Sequence, residues 1–295
     1  SIVKALAAAV LLGMATGVGM DPATCKGALT MEGFMGVAYV TGNAHDVGQG
    51  ALTMKHNSGV SLTTKCQSTW DPESFTPMHL LGQTLSFTAD LSRVGCACNV
   101  AVYLIMEPAR DVMGTPTVGN CSYSPYYCDA NQVCGQWCPE LDIMEANDHV
   151  FAATPHTCQD SPTPKFTSCD RAGVSQNTRD RGKGYGPGMQ FTIDTTMPFE
   201  VHTNFEGSPS RGGQPAAFTK LETRLVQAGR ELVLTSGASP AYLQGMGQSL
   251  DKGMSLRITY WGHDAKTMAW MDDGPCGTQV CGGAAAGPAR LSDFR

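Results

Sequence analysis

The sequence predicts an all-β protein with large antiparallel sheets, and three observations lead to that fold class. Many short segments alternate apolar with polar residues, which is the period-two pattern of strands that have one face in a core. Clusters rich in glycine, proline, asparagine and aspartate separate these segments; the 295 residues include 34 glycines and 17 prolines. Charged residues make up only 16% of the chain, too few for the charge-paired helices of a bundle or coiled coil.

Individual segments show this alternation clearly. Residues 85–89 and 199–205 carry apolar side chains at every second position, which predicts two strands. Two apolar runs within residues 225–234 flank an Ala-Gly pair and predict a hairpin. Residues 240–250 form the one segment for which we predict a helix.

The ends of the chain bear on its compartment and its domain organisation. Residues 1–20 hold one basic residue and then an alanine-rich apolar run, which predicts a secretory signal. No linker divides the rest, so we expect residues 21–295 to form a single domain. Residues 291–295 have the pattern of a final strand that is cut off, so we expect this domain to be truncated there.

The chain has twelve cysteines, and we expect them to form disulfide bonds. Their number is even, and they lack the two paired C-x2-C spacings that a zinc site would need. We therefore expect a secreted, extracellular protein with no metal. The formal net charge of −6 gives no attraction for phosphate, so nucleic acid is not an expected partner.

The most informative segment contains three acids within a strand-like run, Glu140, Asp142 and Glu145. Side chains two positions apart share a face of a strand, so the first two acids point the same way. A regular strand would turn Glu145 toward the core, whereas one β-bulge between Asp142 and Glu145 would return it to the polar face. The rival interpretation is a calcium site or a solvated acidic edge, against which the intervening apolar residues argue.

That geometry suits a retaining glycosidase. Two carboxyl groups on one face could approach to about 5–5.5 Å, the separation that such enzymes use. Glu140 would then be the nucleophile and Glu145 the acid/base, with Asp142 as a supporting carboxylate. Three clustered acids cannot all ionise cheaply, so we expect one of them to have a raised pKa, as an acid catalyst needs.

The pattern E-x-D-x-x-E at residues 140–145 resembles the active-site strand of the β-jelly-roll glycosidases of clan B, families 7 and 16. Several further stretches are similar to glycoside hydrolase family 7, the cellulases, and they follow in order from about residue 50 to the C-terminus. They are residues 82–87, 96–103, 127–130, 146–147, 154–158, 184–188, 191–196 and 253–272. The resemblance implies a β-jelly-roll sandwich of two large curved antiparallel sheets, with the substrate cleft on the concave face.

The resemblance also implies further site residues. It places Trp261 and Trp270 at subsites that flank the cleavage point, and their rings would stack on sugars. On strand periodicity alone, Trp261 lies on the polar face of its segment, whereas core packing is the rival interpretation for Trp270. The resemblance puts these further residues near the reacting sugars: Asn99, Tyr103, Asp129 and His156. The alternative for His156 is a structural hydrogen bond.

Disulfide pairs and departures from the family complete the comparison. The resemblance implies the pairs Cys96–Cys281, Cys128–Cys138 and Cys158–Cys169, and it leaves the other six cysteines unassigned. The arginines expected at the leaving-group subsites are not evident, and Arg179 or Arg181 is the candidate replacement. Loops that cover the family's cleft are trimmed, which favours an open groove and cleavage within a chain.

From these features we expect a secreted, monomeric retaining endo-β-1,4-glucanase without cofactor or metal, acting on cellulose or a related β-glucan. After removal of the signal it would have no membrane association. Three alternatives remain: a cellobiohydrolase of the same family, a β-1,3- or mixed-linkage glucanase of the family 16 type, and a lectin-like glucan-binding protein without activity.

Overall fold

A computed structural model describes residues 24–159 and 163–295, and the segment predicted to be a signal lies outside these ranges. Strands dominate the described chain, as predicted. They are β1 (Cys25–Leu29), β2 (Ala38–Gly48), β3 (Ala51–Thr63), β4 (Pro77–Met78), β5 (Thr84–Asp90), β6 (Cys98–Ile105), β7 (Glu140–Ala146), β8 (Phe151–His156), β9 (Gln176–Asn177), β10 (Tyr185–Gly186), β11 (Ile193–Asp194), β12 (Phe199–Ser208), β13 (Ala217–Gln227), β14 (Arg230–Thr235), β15 (Met254–Gly262) and β16 (Ala289–Ser292). The helices are α1 (Pro240–Lys252) and α2 (Ala265–Asp272).

Hydrogen bonds connect fourteen of these strands into one sheet, in which the long strand β3 is central, and β10 pairs with β11 separately. Its first half pairs with β16, which continues through β5, β12 and β13 to β14. Its second half pairs with β15, which continues through β6, β7 and β8 to β9. All of these pairings within the large sheet are antiparallel. Strand β3 thus joins two sheet halves of a sandwich, as the sequence predicted for the fold class.

The two halves share one apolar core. Phe87 of β5 and Phe205 of β12 belong to the same buried cluster as Val102 of β6 and Leu141 of β7. The alternation of apolar and polar residues predicted for residues 199–205 is present in β12, where every second side chain of that range is buried. Burial of these faces removes apolar surface from water and is the main force that holds the halves together.

The predicted hairpin and helix are both present. Strands β13 and β14 pair in register across the Ala228-Gly229 turn, where both residues have positive φ, as a two-residue hairpin turn requires. Helix α1 begins after Ser239, whose hydroxyl accepts the Tyr242 N–H, with Pro240 in its first turn. The prediction of a single helix was wrong, because α2 follows β15 directly.

Six disulfides link all twelve cysteines: Cys25–Cys66, Cys96–Cys276, Cys98–Cys281, Cys121–Cys134, Cys128–Cys138 and Cys158–Cys169. Two implied pairs, Cys128–Cys138 and Cys158–Cys169, are confirmed. Over the described ranges, no helix has the length and apolar character needed to cross a membrane.

The implied pair Cys96–Cys281 was wrong by one partner. Strand pairing sets Cys98 opposite Gly262, and the next residue, His263, accepts the N–H of Cys281 through its carbonyl at 2.7 Å. Cys281 therefore lies beside Cys98. Cys96, two residues earlier, lies instead at the end of α2, where it meets Cys276.

Candidate active site

The predicted bulge is present in strand β7. Glu140 and Asp142 are paired in regular register with β6 and β8, and the register shifts before Glu145 on both sides. Opposite β6, Asp142 faces Tyr103 while Met144 faces Val102, so Ile143 is the extra residue. An extra residue reverses the alternation of faces.

The reversal gathers the three acids on one surface, which we call the site face. Directly opposed residues of an antiparallel pair share a face. Glu140, Asp142 and Glu145 are opposite Ile105, Tyr103 and Ala101 respectively. The intervening residues of β7 pack instead into the main core. The bulge therefore converts an odd spacing of five into a shared orientation, as predicted.

Glu140 lies at the edge of a disulfide-bonded loop. Its Oε2 accepts the backbone N–H of Ala130 at 3.0 Å, and its side chain is largely buried. Burial raises the pKa of Glu140 well above its usual range, and the charges of Asp142 and Asp129 raise it further. His156 and the Ala130 N–H oppose this shift. A raised pKa was expected for the acid catalyst among the three acids, whereas it is found at Glu140, the residue assigned to nucleophilic attack.

Asp142 is bound to a buried histidine. The Oδ2 of Asp142 is 3.0 Å from Nε2 of His156, and Nδ1 of His156 is 2.8 Å from the carbonyl oxygen of Asp170. A carbonyl oxygen can only accept, so Nδ1 carries a hydrogen. A second proton therefore lies in the contact between Nε2 and the carboxyl of Asp142. His156 thus fixes the orientation of Asp142, and the structural hydrogen bond considered for this histidine is present.

Glu145 receives a side-chain donor from the neighbouring strand. The Nδ2 of Asn99 donates to Oε1 of Glu145 at 3.3 Å, and both side chains are buried. Asn99 lies opposite Trp261 on β15, so this tryptophan shares the site face. The expectations that Asn99 accompanies the carboxylates and that Trp261 lies on the polar side of its strand are both met.

Tyr103 and Asp129 also lie beside the acids. The hydroxyl of Tyr103 is 3.2 Å from that of Tyr127, and burial raises the pKa of both phenols. Asp129 accepts the backbone N–H groups of Asn131 and Val133, which closes the turn that presents Ala130 to Glu140. Burial raises the pKa of Asp129 as well. The sequence offered no sign of the role of this turn, which depends on backbone groups.

The two predicted tryptophan platforms are in contact with each other. The rings of Trp261 and Trp270 stack with centroids 6.3 Å apart at an interplanar angle of 23°. Both pack partly against the main core. Nη1 of Arg179 donates to the carbonyl oxygens of Ala269 and Trp270, so this arginine braces the end of α2. Arg181 is exposed just after a 3-10 turn at Thr178–Asp180.

A further feature of the site face is Arg257, which strand periodicity places on the polar face of its segment without indicating a function. Arg257 lies opposite Tyr103, is 5% exposed, and forms an ion pair with Glu107 at 3.3 Å. A single arginine on the polar side of a strand resembles any solvated charge in sequence. Its burial depends on residues 107–138, which fold over this face.

Among the described residues, one trio has ligand atoms close enough for a metal ion: Cys96, His149 and Cys276. The two cysteines form a disulfide with each other, so they offer no thiolate. This trio is consequently not a metal centre.

Comparison with known proteins identifies the family. Residues 129–244, which include all of β7 and its bulge, match the model of glycosyl hydrolase family 7. An endoglucanase EG-1 of Hypocrea jecorina is 29% identical over 303 residues, covering 92% of this chain and 62% of the relative. The family model, the curated relatives and the shared fold support glycoside hydrolase family 7 for this chain.

Other relatives and solved structures agree with this family 7 assignment. An endo-β-1,4-glucanase of Emericella nidulans is 29% identical and covers 70% of this chain and 60% of its own length. The endocellulase EGI of Humicola insolens has a TM-score of 0.64 at 23% identity, covering 85% of this chain and 77% of that structure. A cellobiohydrolase of Daphnia pulex also has a TM-score of 0.64, at 19% identity. The fold is therefore the β-jelly-roll sandwich expected from the sequence. This chain spans less than two thirds of the length of the first two relatives named here.

Proposed function

We propose that this protein is a retaining endo-β-1,4-glucanase that hydrolyses internal bonds of cellulose or a related β-glucan. The observation that carries the proposal is the bulge in β7, which aligns Glu140, Asp142 and Glu145 on the site face. Relatives that match most of this chain are named endoglucanase or endo-β-1,4-glucanase. Their names describe those proteins, and the shared family supports extending the activity to this one.

In the first step, the ionised carboxylate of Glu140 attacks the anomeric carbon, and the bond to the glycosidic oxygen breaks. Glu145 gives its proton to that oxygen, so the leaving sugar departs as an alcohol. In the second step, Glu145 takes a proton from water, whose oxygen displaces Glu140 from the sugar. Two inversions at one carbon retain its configuration.

The neighbours of the acids support these roles. The Ala130 N–H stabilises negative charge on Glu140, and Asn99 orients Glu145. The Asp142–His156 contact holds a proton next to the nucleophile, which limits the negative charge that accumulates at the site. We further propose that Trp261 and Trp270 line the sugar-binding path. Arg179 would support this path indirectly, because it holds the end of α2, which carries Trp270.

The location and assembly of the protein follow as part of the same proposal. Six disulfides require an oxidising environment, so we infer secretion. We propose a single-domain, monomeric enzyme without a cofactor. The trimmed loops noted in the sequence favour cleavage within the polymer over release from its ends.

The decisive test compares the wild type with Glu140→Gln on carboxymethylcellulose and on laminarin, following viscosity and reducing ends. We expect a rapid viscosity fall on the β-1,4 polymer, at least about a thousandfold slower in the variant. Glu206→Gln, an exposed glutamate on β12, is the matched control and should behave as wild type. Binding without cleavage by the wild type would favour the lectin-like alternative. Disaccharide release with little loss of viscosity would favour a cellobiohydrolase.

A further inference from the structure

A buried ion pair lies on the site face beyond the three acids. Arg257 projects from β15 and lies opposite Tyr103 of β6 and Ser61 of β3. Its Nη1 pairs with Oε2 of Glu107 at 3.3 Å, and its Nη2 donates to the hydroxyl of Ser124 at 2.6 Å. Both charged side chains are almost completely buried. Nη1 also donates to the hydroxyl of Ser61, so the guanidinium connects β3, the residues after β6 and the loop that holds Ser124.

Glu107 is equally well fixed. Its Oε1 accepts the hydroxyls of Ser255 at 2.8 Å and Ser61 at 3.1 Å, in addition to the ion pair. Burial raises the pKa of Glu107, and Arg257 opposes that shift. A buried ion pair usually adds little stability beyond an apolar pair of similar shape, because desolvation offsets the attraction. Stability is thus a weak reason for such an arrangement at this position.

A series of contacts connects the Arg257 guanidinium to Glu140, the nucleophile. Its carbon lies 4.9 Å from the ring centroid of Tyr127, a cation–π contact in a water-excluded place. The hydroxyl of Tyr127 hydrogen-bonds to Asp129 and lies 3.2 Å from that of Tyr103. Asp129 closes the turn that aims the Ala130 N–H at Glu140. A continuous series of contacts thus joins Arg257 to Glu140.

We propose that the Glu107–Arg257 pair is a positioning device for the nucleophile, holding Tyr127 and the following turn so that the Ala130 N–H stays directed at Glu140. The pair touches no reacting atom in this scheme. The inference rests on the proposed glucanase function. It gives Glu107 and Arg257 an indirect role in that function, through the position of the Ala130 N–H.

Loss of the pair should change the titration of the nucleophile. The charged and titratable groups that face Glu140 are Asp142 on its own strand, His156 on β8, Asp129 and Tyr127 on the loop, and Tyr103 on β6. Two of the contacts to Glu140 belong to the turn: the charge of Asp129, which raises the pKa of Glu140, and the Ala130 N–H, which lowers it. A misplaced turn would change both, so the pKa of Glu140 would shift from its wild-type value.

The test uses the double variant Glu107→Gln with Arg257→Met, which leaves no unpaired buried charge and keeps the side-chain volumes similar. We expect a folded protein with kcat reduced about tenfold or more and KM changed less than about threefold, because misplaced groups lose transition-state interactions. The acidic limb of the pH profile of kcat/KM should move away from its wild-type position. Glu222→Gln with Arg224→Met, an ion pair on β13 in the other half of the sandwich, is the matched control.

The outcomes are separable. If the wild type cleaves no β-glucan, the proposed function fails. If the wild type is active and the folded double variant keeps its kcat and its acidic limb, the positioning role is overturned. Should the double variant unfold, Arg257→Lys replaces it, because lysine keeps the charge beside Glu107 but not the fork that also reaches Ser124. A lysine variant with wild-type kcat and pH profile would equally overturn the proposal.

Discussion

At the scale of single residues, the site is governed by how much negative charge the site face can hold. Glu140 and Asp129 both have raised pKa values because they are buried near other acids. A proton between Asp142 and His156 and the backbone N–H groups directed at Glu140 and Asp129 relieve part of this crowding. Removal of the charge of one acid should therefore change the pKa of the others, and pH–rate profiles can measure that change.

Asp142→Asn should lower the pKa of Glu140, since the Asp142 charge contributes to raising it. Glu140 must be ionised to attack, so the acidic limb of kcat/KM should shift to lower pH by about one unit. We also expect kcat to fall roughly 10–100-fold, because the supporting carboxylate is lost. The measurement is a pH–rate profile on a soluble β-1,4-glucan. A shift toward higher pH would contradict the charge crowding.

Glu140→Gln should make the protein more stable at neutral pH. A carboxyl whose folded pKa exceeds its unfolded value of 4.5 holds its proton more tightly when folded, so the free energy of unfolding falls as pH rises above that value. The amide removes this loss, and we expect a gain of roughly 1–3 kcal/mol at pH 7 that disappears below about pH 4.5. Urea unfolding of both proteins at several pH values measures it. Parallel pH dependences would refute the burial argument.

The roles of the two glutamates can be separated by rescue with azide on an aryl β-cellobioside. In Glu140→Ala, azide would replace the carboxylate and attack once, giving a glycosyl azide of inverted configuration. In Glu145→Ala, azide would intercept the covalent intermediate and give the retained configuration. Product anomers are distinguished by NMR. The opposite pattern would exchange the two assignments.

At the scale of elements, two local devices place the chemistry. The bulge at Ile143 brings Glu145 to the site face, and α2 sets Trp270 against Trp261. Asp264 caps the N-terminus of α2, and its Oδ1 accepts the Thr267 N–H at 2.9 Å. The sequence D-A-K-T contains this cap, which is a helix-start signal for the second helix.

Asp264→Ala should destabilise the protein by about 1 kcal/mol, because the first turn of α2 loses its side-chain acceptor. Asp264→Ser is the control, since a serine hydroxyl can accept the same N–H, and it should recover most of the loss. Thermal unfolding of the three proteins provides the comparison. Equal stabilities for the alanine and serine variants would mean that the cap is unimportant here.

At the scale of the whole molecule, two disulfides close nearly the same long loop. Cys96–Cys276 spans 180 residues and Cys98–Cys281 spans 183. A disulfide stabilises mainly by restricting the unfolded chain, so either bond alone supplies most of that restriction. The four remaining bonds close shorter loops, of 41 residues or fewer.

Loss of the two long-range disulfides should therefore be strongly non-additive. We expect replacement of one cysteine pair by serines to cost about 1 kcal/mol, and replacement of both pairs to cost about 4 kcal/mol or more. Guanidinium unfolding of the two single-pair variants and the four-cysteine variant tests this. Simple additivity would show that each bond stabilises the native state by its own local contacts.

The sequence by itself determined the features that depend on local order and on spacing along the chain. The alternation in 199–205, the turn in the β13–β14 hairpin and the odd spacing in E-L-D-I-M-E each act within a few residues. That spacing already required the bulge, because glutamates five positions apart share a face only if one residue is extra.

Only the tertiary structure decided which distant groups meet. Cys96 and Cys98 are only two residues apart, yet they pair with Cys276 and Cys281 respectively, and the order of residues along the chain does not determine which pairs with which. The same holds for Arg257, whose burial and whose ion pair with Glu107 arise when residues 107–138 fold over the site face. The physical reason is that burial and electrostatic interaction depend on distance in space, which the chain sets only when its strands have paired.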